Sequence, residues 1–217
     1  MKHWWKALSV LLILYSLIAG LLGSVPALPI VNETIRLLYY HLPMWFAMFT
    51  LYLISVIYSI RYLNSGKLEH DHIAVESVNV GIIFCGLGLA TGMLWANFTW
   101  GDPWPNDAKV NGSAIATLMY LAYLVLRNAL EEEQKRAKIG AIYNIFAFPV
   151  MIVLMYILPK MTDSLHPGSG GNSGFGEFDL NNSMKLVLYP ASLGWILMGL
   201  WLTQIRYRIR RLSQRLF

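Results

Sequence analysis

Val78-Asn79-Val80-Gly81-Ile82-Ile83-Phe84-Cys85-Gly86-Leu87-Gly88-Leu89-Ala90-Thr91-Gly92-Met93-Leu94-Trp95-Ala96 runs without a single charged side chain. A helix rises 1.5 Å per residue and the hydrocarbon layer of a bilayer is about 30 Å thick, so about 20 apolar residues suffice to cross it. The stretch is read as a membrane span, and that reading decides the class of the fold. Five further stretches of the same character flank it, at 7–25, 42–60, 113–130, 139–158 and 186–205. Together they predict an all-α membrane protein, a six-transmembrane-helix bundle forming one polytopic domain over residues 1–217. Composition agrees: the 217 residues are 56% hydrophobic and 13% charged, with mean hydropathy +0.49. A water-soluble domain of this length could not carry that much apolar side chain on its surface.

The charges orient the bundle. With the N-terminus inside, the inner segments collect Lys2, Lys6, Arg61, Lys67, Arg127, Lys135, Arg136, Lys138, Arg206, Arg208, Arg210, Arg211 and Arg215. The outer segments keep Arg36, Lys109, Lys160 and Lys185. The positive-inside rule then predicts both termini in the cytoplasm. The net charge of +5 is thereby assigned to the membrane surface, where a basic tail favours anionic lipid, and not to nucleic acid. Lys2 and Lys6 before an apolar run, with Val25-Pro26-Ala27 after it, also resemble a signal peptide; the length of the run and the even span count favour a retained first helix.

The inner loops read as short charged connectors, with His3, His70 and His72 as surface residues. The outer side differs. Its loop at 97–112 contains Trp100-Gly101-Asp102-Pro103-Trp104-Pro105-Asn106-Asp107-Ala108-Lys109, with Trp95 just before it. A lone tryptophan at this depth is an ordinary interfacial anchor. Two tryptophans stiffened by two prolines and a glycine make instead a rigid aromatic surface, suited to a large planar ligand whose carboxylates would be met by Lys109.

Each neighbouring outer loop supplies one histidine. His41 stands in Tyr39-Tyr40-His41-Leu42-Pro43, and His166 in Ser164-Leu165-His166-Pro167-Gly168 at the head of a loop over 159–184. Pro43 fits the first turn of a helix beginning near His41, where the helix dipole disfavours imidazolium and leaves a neutral nitrogen to coordinate a metal such as haem iron. Taken singly, either histidine is equally well an interfacial hydrogen-bonding residue; the tryptophan loop between them favours a ligand pair. Cys85, the single cysteine, lies within a span and leaves no Cys-x-x-Cys-His attachment site, so the chain is not itself a c-type cytochrome.

These residues resemble the tryptophan-rich (WWD) haem-handling proteins of cytochrome c assembly. Six spans in this length are similar to the smaller branch of that family, the haem exporter protein C branch. The family motif runs Trp-Gly-x-x-Trp-x-Trp-Asp-x-Arg in an outer loop, with a histidine on either side. Trp100, Gly101, Trp104 and Asp107 match it, while Asn106 replaces the third tryptophan and Lys109 the arginine. Lysine keeps the charge and loses the bidentate fork.

The resemblance implies that His41 and His166 are axial ligands of a non-covalent, transient haem b held against Trp100, Gly101, Trp104, Asp107 and Lys109. It implies partners as well: ATP-binding cassette subunits, a small helper membrane protein and a periplasmic haem chaperone, with no catalytic residue in this chain. Pro167 to Gly176, with five glycines, reads equally as an arm that lets His166 swing and as a passive linker.

Three other functions compete. An electron-transfer or quinone-reactive b-type subunit would place histidines inside its spans, and the spans as drawn contain none. A solute permease would carry ionisable groups near mid-membrane, whereas the acidic residues here cluster in loops. A cytochrome c haem lyase could use the same motif but is larger. Within the spans, Gly81, Gly86, Gly88 and Gly92 read as close helix packing, Pro149 and Pro190 as structural kinks, and Asn79, Asn97 and Asn144 as internally paired. Glu76 sits at the inner boundary, where Arg127 snorkels.

Overall fold

The computed structural model describes residues 3–26, 31–162, 164–166 and 180–216. Helix α1 (Trp4–Leu22) is followed by a 3-10 turn (Asn32–Leu37), α2 (Leu38–Ser65), α3 (Leu68–Trp100), α4 (Ala108–Asn128), α5 (Glu133–Ile152), a π-helical segment (Val153–Ile157), the short α6 (Leu158–Met161) and α7 (Asn182–Leu216). Six segments are long and apolar enough to cross a membrane: Trp4–Leu22, Glu33–Ser65, Leu68–Trp100, Ala108–Asn128, Glu133–Met161 and Asn182–Gln214. The chain is an all-helical, multi-pass membrane protein. The glycine-rich stretch from Pro167 to Gly176 lies outside the described residues.

The helices run past the apolar cores from which the spans were drawn. α2 begins before His41, and α3 begins before His70 and His72. Histidines therefore do stand inside membrane-capable helices, and the argument against an electron-transfer subunit from their absence does not hold. His72 is buried, not on the surface, and its Nε2 lies 3.4 Å from both Glu133 Oε1 and Gln214 Nε2.

α2 is the centre of the bundle, packing on α3, α5 and α7, while α1 leans on α7. A two-residue turn joins α2 to α3; Gly66 takes φ +66° there and its N–H closes on Tyr62 O at 2.8 Å. Left-handed backbone of this kind is open to glycine at little cost. The hairpin sets the two longest central helices antiparallel, in a register visible at three sites. A methyl group on Gly92 would lie 2.8 Å from His41 Cε1, one on Gly88 2.9 Å from Trp45 Cε2, and one on Gly81 would strike the Tyr52 ring. These glycines are sockets for rings, which is more specific than the general close packing expected of them.

α1 is tied in at both ends. Ser9 Oγ donates to Gly194 O at 2.9 Å, and Arg36 Nη1 donates to Gly20 O at 3.0 Å and Gly23 O at 2.6 Å, satisfying carbonyls that the helix end leaves bare. Asn144 donates to Ser55 Oγ at 2.6 Å and Ser59 Oγ at 3.0 Å, and Asn79 donates to Glu76 at 3.0 Å, so both are paired inside the bundle. Asn97 is exposed.

Ion pairs gather at the end opposite the tryptophan loop. Arg127 is buried and makes a bidentate pair with Asp71 at 2.7 Å on both arms. It does not snorkel; Gly140 leaves the space that its guanidinium fills. Glu76 is 3% exposed on its side chain and is held by Arg206 and Arg210, each at 2.6 Å. The acidic residues are thus not confined to loops, and two arginines of the basic tail bind protein. Hydropathy reads charges at a helix end as a boundary and is blind to their pairing across helices.

Breaking a buried pair on one side strands a charge, at a cost of about 3–5 kcal/mol, whereas replacing both partners with apolar groups is often neutral. Arg127→Met should lower the melting temperature in detergent sharply, and Arg127→Met combined with Asp71→Leu should recover most of the loss.

Candidate functional site

At the other end of the bundle a cleft with about 950 Å³ of empty space, counted to its open mouth, is lined by residues from six segments. α2 gives His41, Trp45, Phe46 and Phe49; α3 gives Gly88, Gly92, Met93 and Trp100; the next loop and α4 give Trp104 and Lys109; and the π segment gives Met155 and Tyr156. His166 completes the wall. The lining is mainly apolar and aromatic with a few convergent polar groups, as in sites that bury organic ligands.

Of the residues selected from sequence, His41, Trp100, Trp104, Lys109 and His166 meet on this one cleft. Gly101 and Asp107 are not among its lining residues and serve it indirectly. Gly101 ends α3 with φ +77°, its N–H closing on Asn97 O at 3.1 Å, so the chain reverses directly after Trp100. Asp107 is the N-cap of α4, its Oδ1 accepting from the Lys109 and Val110 N–H groups at 2.9 and 3.2 Å. The same carboxylate accepts from His166 Nδ1 at 3.0 Å and from the Leu165 N–H at 2.7 Å. Burial opposes its ionisation, but hydrogen bonds from His166, Ser164 and the Leu165 amide outweigh burial and hold the carboxyl well below the usual carboxylate range. An ionised carboxylate only accepts, so His166 carries a proton on Nδ1.

His41 is fixed by different groups. Its Nδ1 lies 3.1 Å from Gly88 O and 3.2 Å from Thr91 Oγ1, and its Nε2 accepts from Trp45 Nε1 at 3.1 Å. The ring meets Trp45 and Trp95 edge-on, with centroids 5.9 Å away in both cases. Trp100 meets His166 in the same manner at 5.1 Å. His41 was expected in a loop at the head of a helix; it is instead a helical residue turned into the bundle, because the 3-10 turn and α2 start before it. Pro43 accordingly lies inside α2, beyond its first turn.

Asn106, which departs from the tryptophan motif, is exposed, accepts from Asn111 Nδ2 at 2.9 Å and is not among the lining residues. The departure removes no wall of the cleft. Trp45, Met155 and Tyr156 were not singled out from sequence, and Gly88 and Gly92 were read only as close helix packing. The spacing of Trp45 four residues after His41, facing glycines four apart on α3, was the available signal.

Asp107→Ala removes both the cap and the partner of His166, and should cost about 1–2 kcal/mol. Because the folded carboxyl is held low, its stabilising contribution is complete above the ordinary carboxylate pKa of about 4 and is lost as pH falls below it. The gap in melting temperature between wild type and Asp107→Ala should therefore be constant from pH 8 to 5 and narrow below about pH 4.

The sequence profile of the family described as "Heme exporter protein C" matches residues 1–216. Among curated relatives, the "Heme exporter protein C" of Haemophilus influenzae is 26% identical over 149 residues, which is 68% of this chain and 60% of that protein. The match thus spans less than two-thirds of that relative. The "Heme exporter protein C" of Rhodobacter capsulatus is 24% identical over 212 residues, 95% of this chain and 86% of that one. A "Cytochrome c biogenesis protein CcsA" of Prochlorococcus marinus is 33% identical over 103 residues, 48% of this chain and 31% of its own length. A six-span helical bundle with one aromatic, histidine-bearing cleft, matched over almost its full length by a single profile, belongs to the CcmC family of haem exporter protein C.

Proposed function

We propose that this chain handles haem for cytochrome c maturation by holding it in the cleft between His41 and His166 and giving it up to a carrier. The observation that supports this best is the meeting of two histidines from distant parts of the sequence on one aromatic cleft. The donor set suits the cargo: each imidazole has Nδ1 engaged, His41 toward a carbonyl and His166 toward a carboxylate, which makes Nε2 the nitrogen that would meet a metal. Trp104, Phe46 and Phe49 offer faces and edges for a porphyrin, and Lys109 offers a cation for its carboxylates. Closing both axial positions with imidazole limits oxygen chemistry at the iron while haem is held.

In this reading the cleft end lies on the periplasmic face of a bacterial inner membrane and both termini are cytoplasmic, which puts the ion-paired end inside, in keeping with the positive-inside rule. The haem is a b-type, non-covalent and transient guest, and no residue of the chain acts as a catalyst. Family membership supports work alongside ATP-binding cassette subunits, a small helper membrane protein and a periplasmic haem chaperone.

A second reading, a resident electron-transfer haem, draws support from His41 standing inside α2. The two differ in what happens to the haem. Detergent-purified protein loaded with haem should give a low-spin, bis-imidazole spectrum, and His41→Ala or His166→Ala should turn it high-spin or abolish it. Excess apo-carrier should strip the haem from wild type within the experiment; haem that cycles between oxidation states and never leaves would favour the electron-transfer reading. Spectra unchanged in both variants would remove the cleft as the site.

A further inference from the structure

We propose that Trp45 is a positioning residue that competes with the iron for His41, holding the coordinating nitrogen when no ligand is present and reclaiming it on release. This rests on the haem reading above and adds a residue to which no role has been assigned.

The argument starts from donors and acceptors. A backbone carbonyl can only accept, so the 3.1 Å contact of His41 Nδ1 with Gly88 O requires the proton on Nδ1. An indole N–H can only donate, so the 3.1 Å contact of Trp45 Nε1 with His41 Nε2 requires the lone pair on Nε2. The two bonds select the same tautomer, and the nitrogen so prepared for a metal is the one the indole occupies. Trp45 lies one helical turn beyond His41 on α2 and is seated in the Gly88 socket, so its approach is set by the packing of α2 on α3. It also lines the cleft, so its contact with His41 stands where a guest would bind.

His41 can give its lone pair to iron or to Trp45, and not to both. The retention of haem is therefore weakened by the worth of one buried hydrogen bond, about 2- to 10-fold in dissociation constant. A carrier gains from this because departure of the cargo restores a bond and strands no buried polar atom. His166 is held through Nδ1 by the Asp107 carboxylate, a contact that leaves Trp45 as the residue bound to the His41 nitrogen alone.

Two substitutions remove the N–H and keep the ring: Trp45→Phe, and 3-benzothienyl-alanine at position 45, which replaces N–H by sulfur at nearly constant shape. In haem-free protein, ¹⁵N-histidine NMR should report His41 protonated on Nδ1 and a Trp45 indole proton coupled to Nε2, lost in both variants. In haem-loaded protein, transfer to excess apomyoglobin, followed in the Soret band, should slow about 2- to 10-fold in both variants and be unaffected by them in a His41→Ala background. An unchanged or faster transfer from both variants, or a His41 protonated on Nε2, would overturn the inference. Wild type that takes up no haem would overturn the haem reading itself, whatever the NMR of the empty cleft reports.

Discussion

The contact between α2 and α3 governs what the rest of the molecule can do. Three rings of α2 enter three glycine sockets of α3, and the antiparallel register so fixed sets the height of His41 and Trp45. A bilayer offers no hydrophobic force to press helices together, so close fit and polar contacts must do it. Here the fit also sets out the chemistry: the Gly88 socket seats the indole while the Gly88 carbonyl takes the imidazole proton. Sliding the helices by one turn would separate both at once.

The bundle divides its polar groups by end. One end carries the bidentate Arg127–Asp71 pair and Glu76 with its two arginines, all with compensated charge. The other carries the cleft, lined by imidazole and ammonium groups, with the Asp107 carboxylate behind His166. Satisfied ion pairs fix helices relative to one another, and the cleft is built on the framework they help to hold.

Much of this was legible in the sequence, for identifiable reasons. Uninterrupted apolar runs such as 78–96 announce spans because the bilayer thickness imposes their length. The loop over Trp100 to Lys109 was legible because two tryptophans held by prolines and a glycine are hard to explain as separate anchors. The depth of His41 was not: hydropathy finds the apolar core of α2, and the polar residues before it extend the same helix without changing the signal. Nor were the sockets, since a glycine spacing is the same whether it admits a backbone or a ring. Asp107 carried its motif match but not its role, because an N-cap and a histidine partner leave the same mark in a sequence, and here one carboxylate is both.

That double use of Asp107 makes the aim of an imidazole part of the mechanics of a helix. His166 comes from a segment that joins α6 toward α7, yet its angular reference is the first turn of α4. A tilt or rotation of α4, from whatever source, is carried by the carboxylate to the ring as a change of bearing. A force that draws residues 164–166 outward is likewise felt at the start of α4 as the loss of its cap. The two motions are geared together, with a single side chain as the tooth.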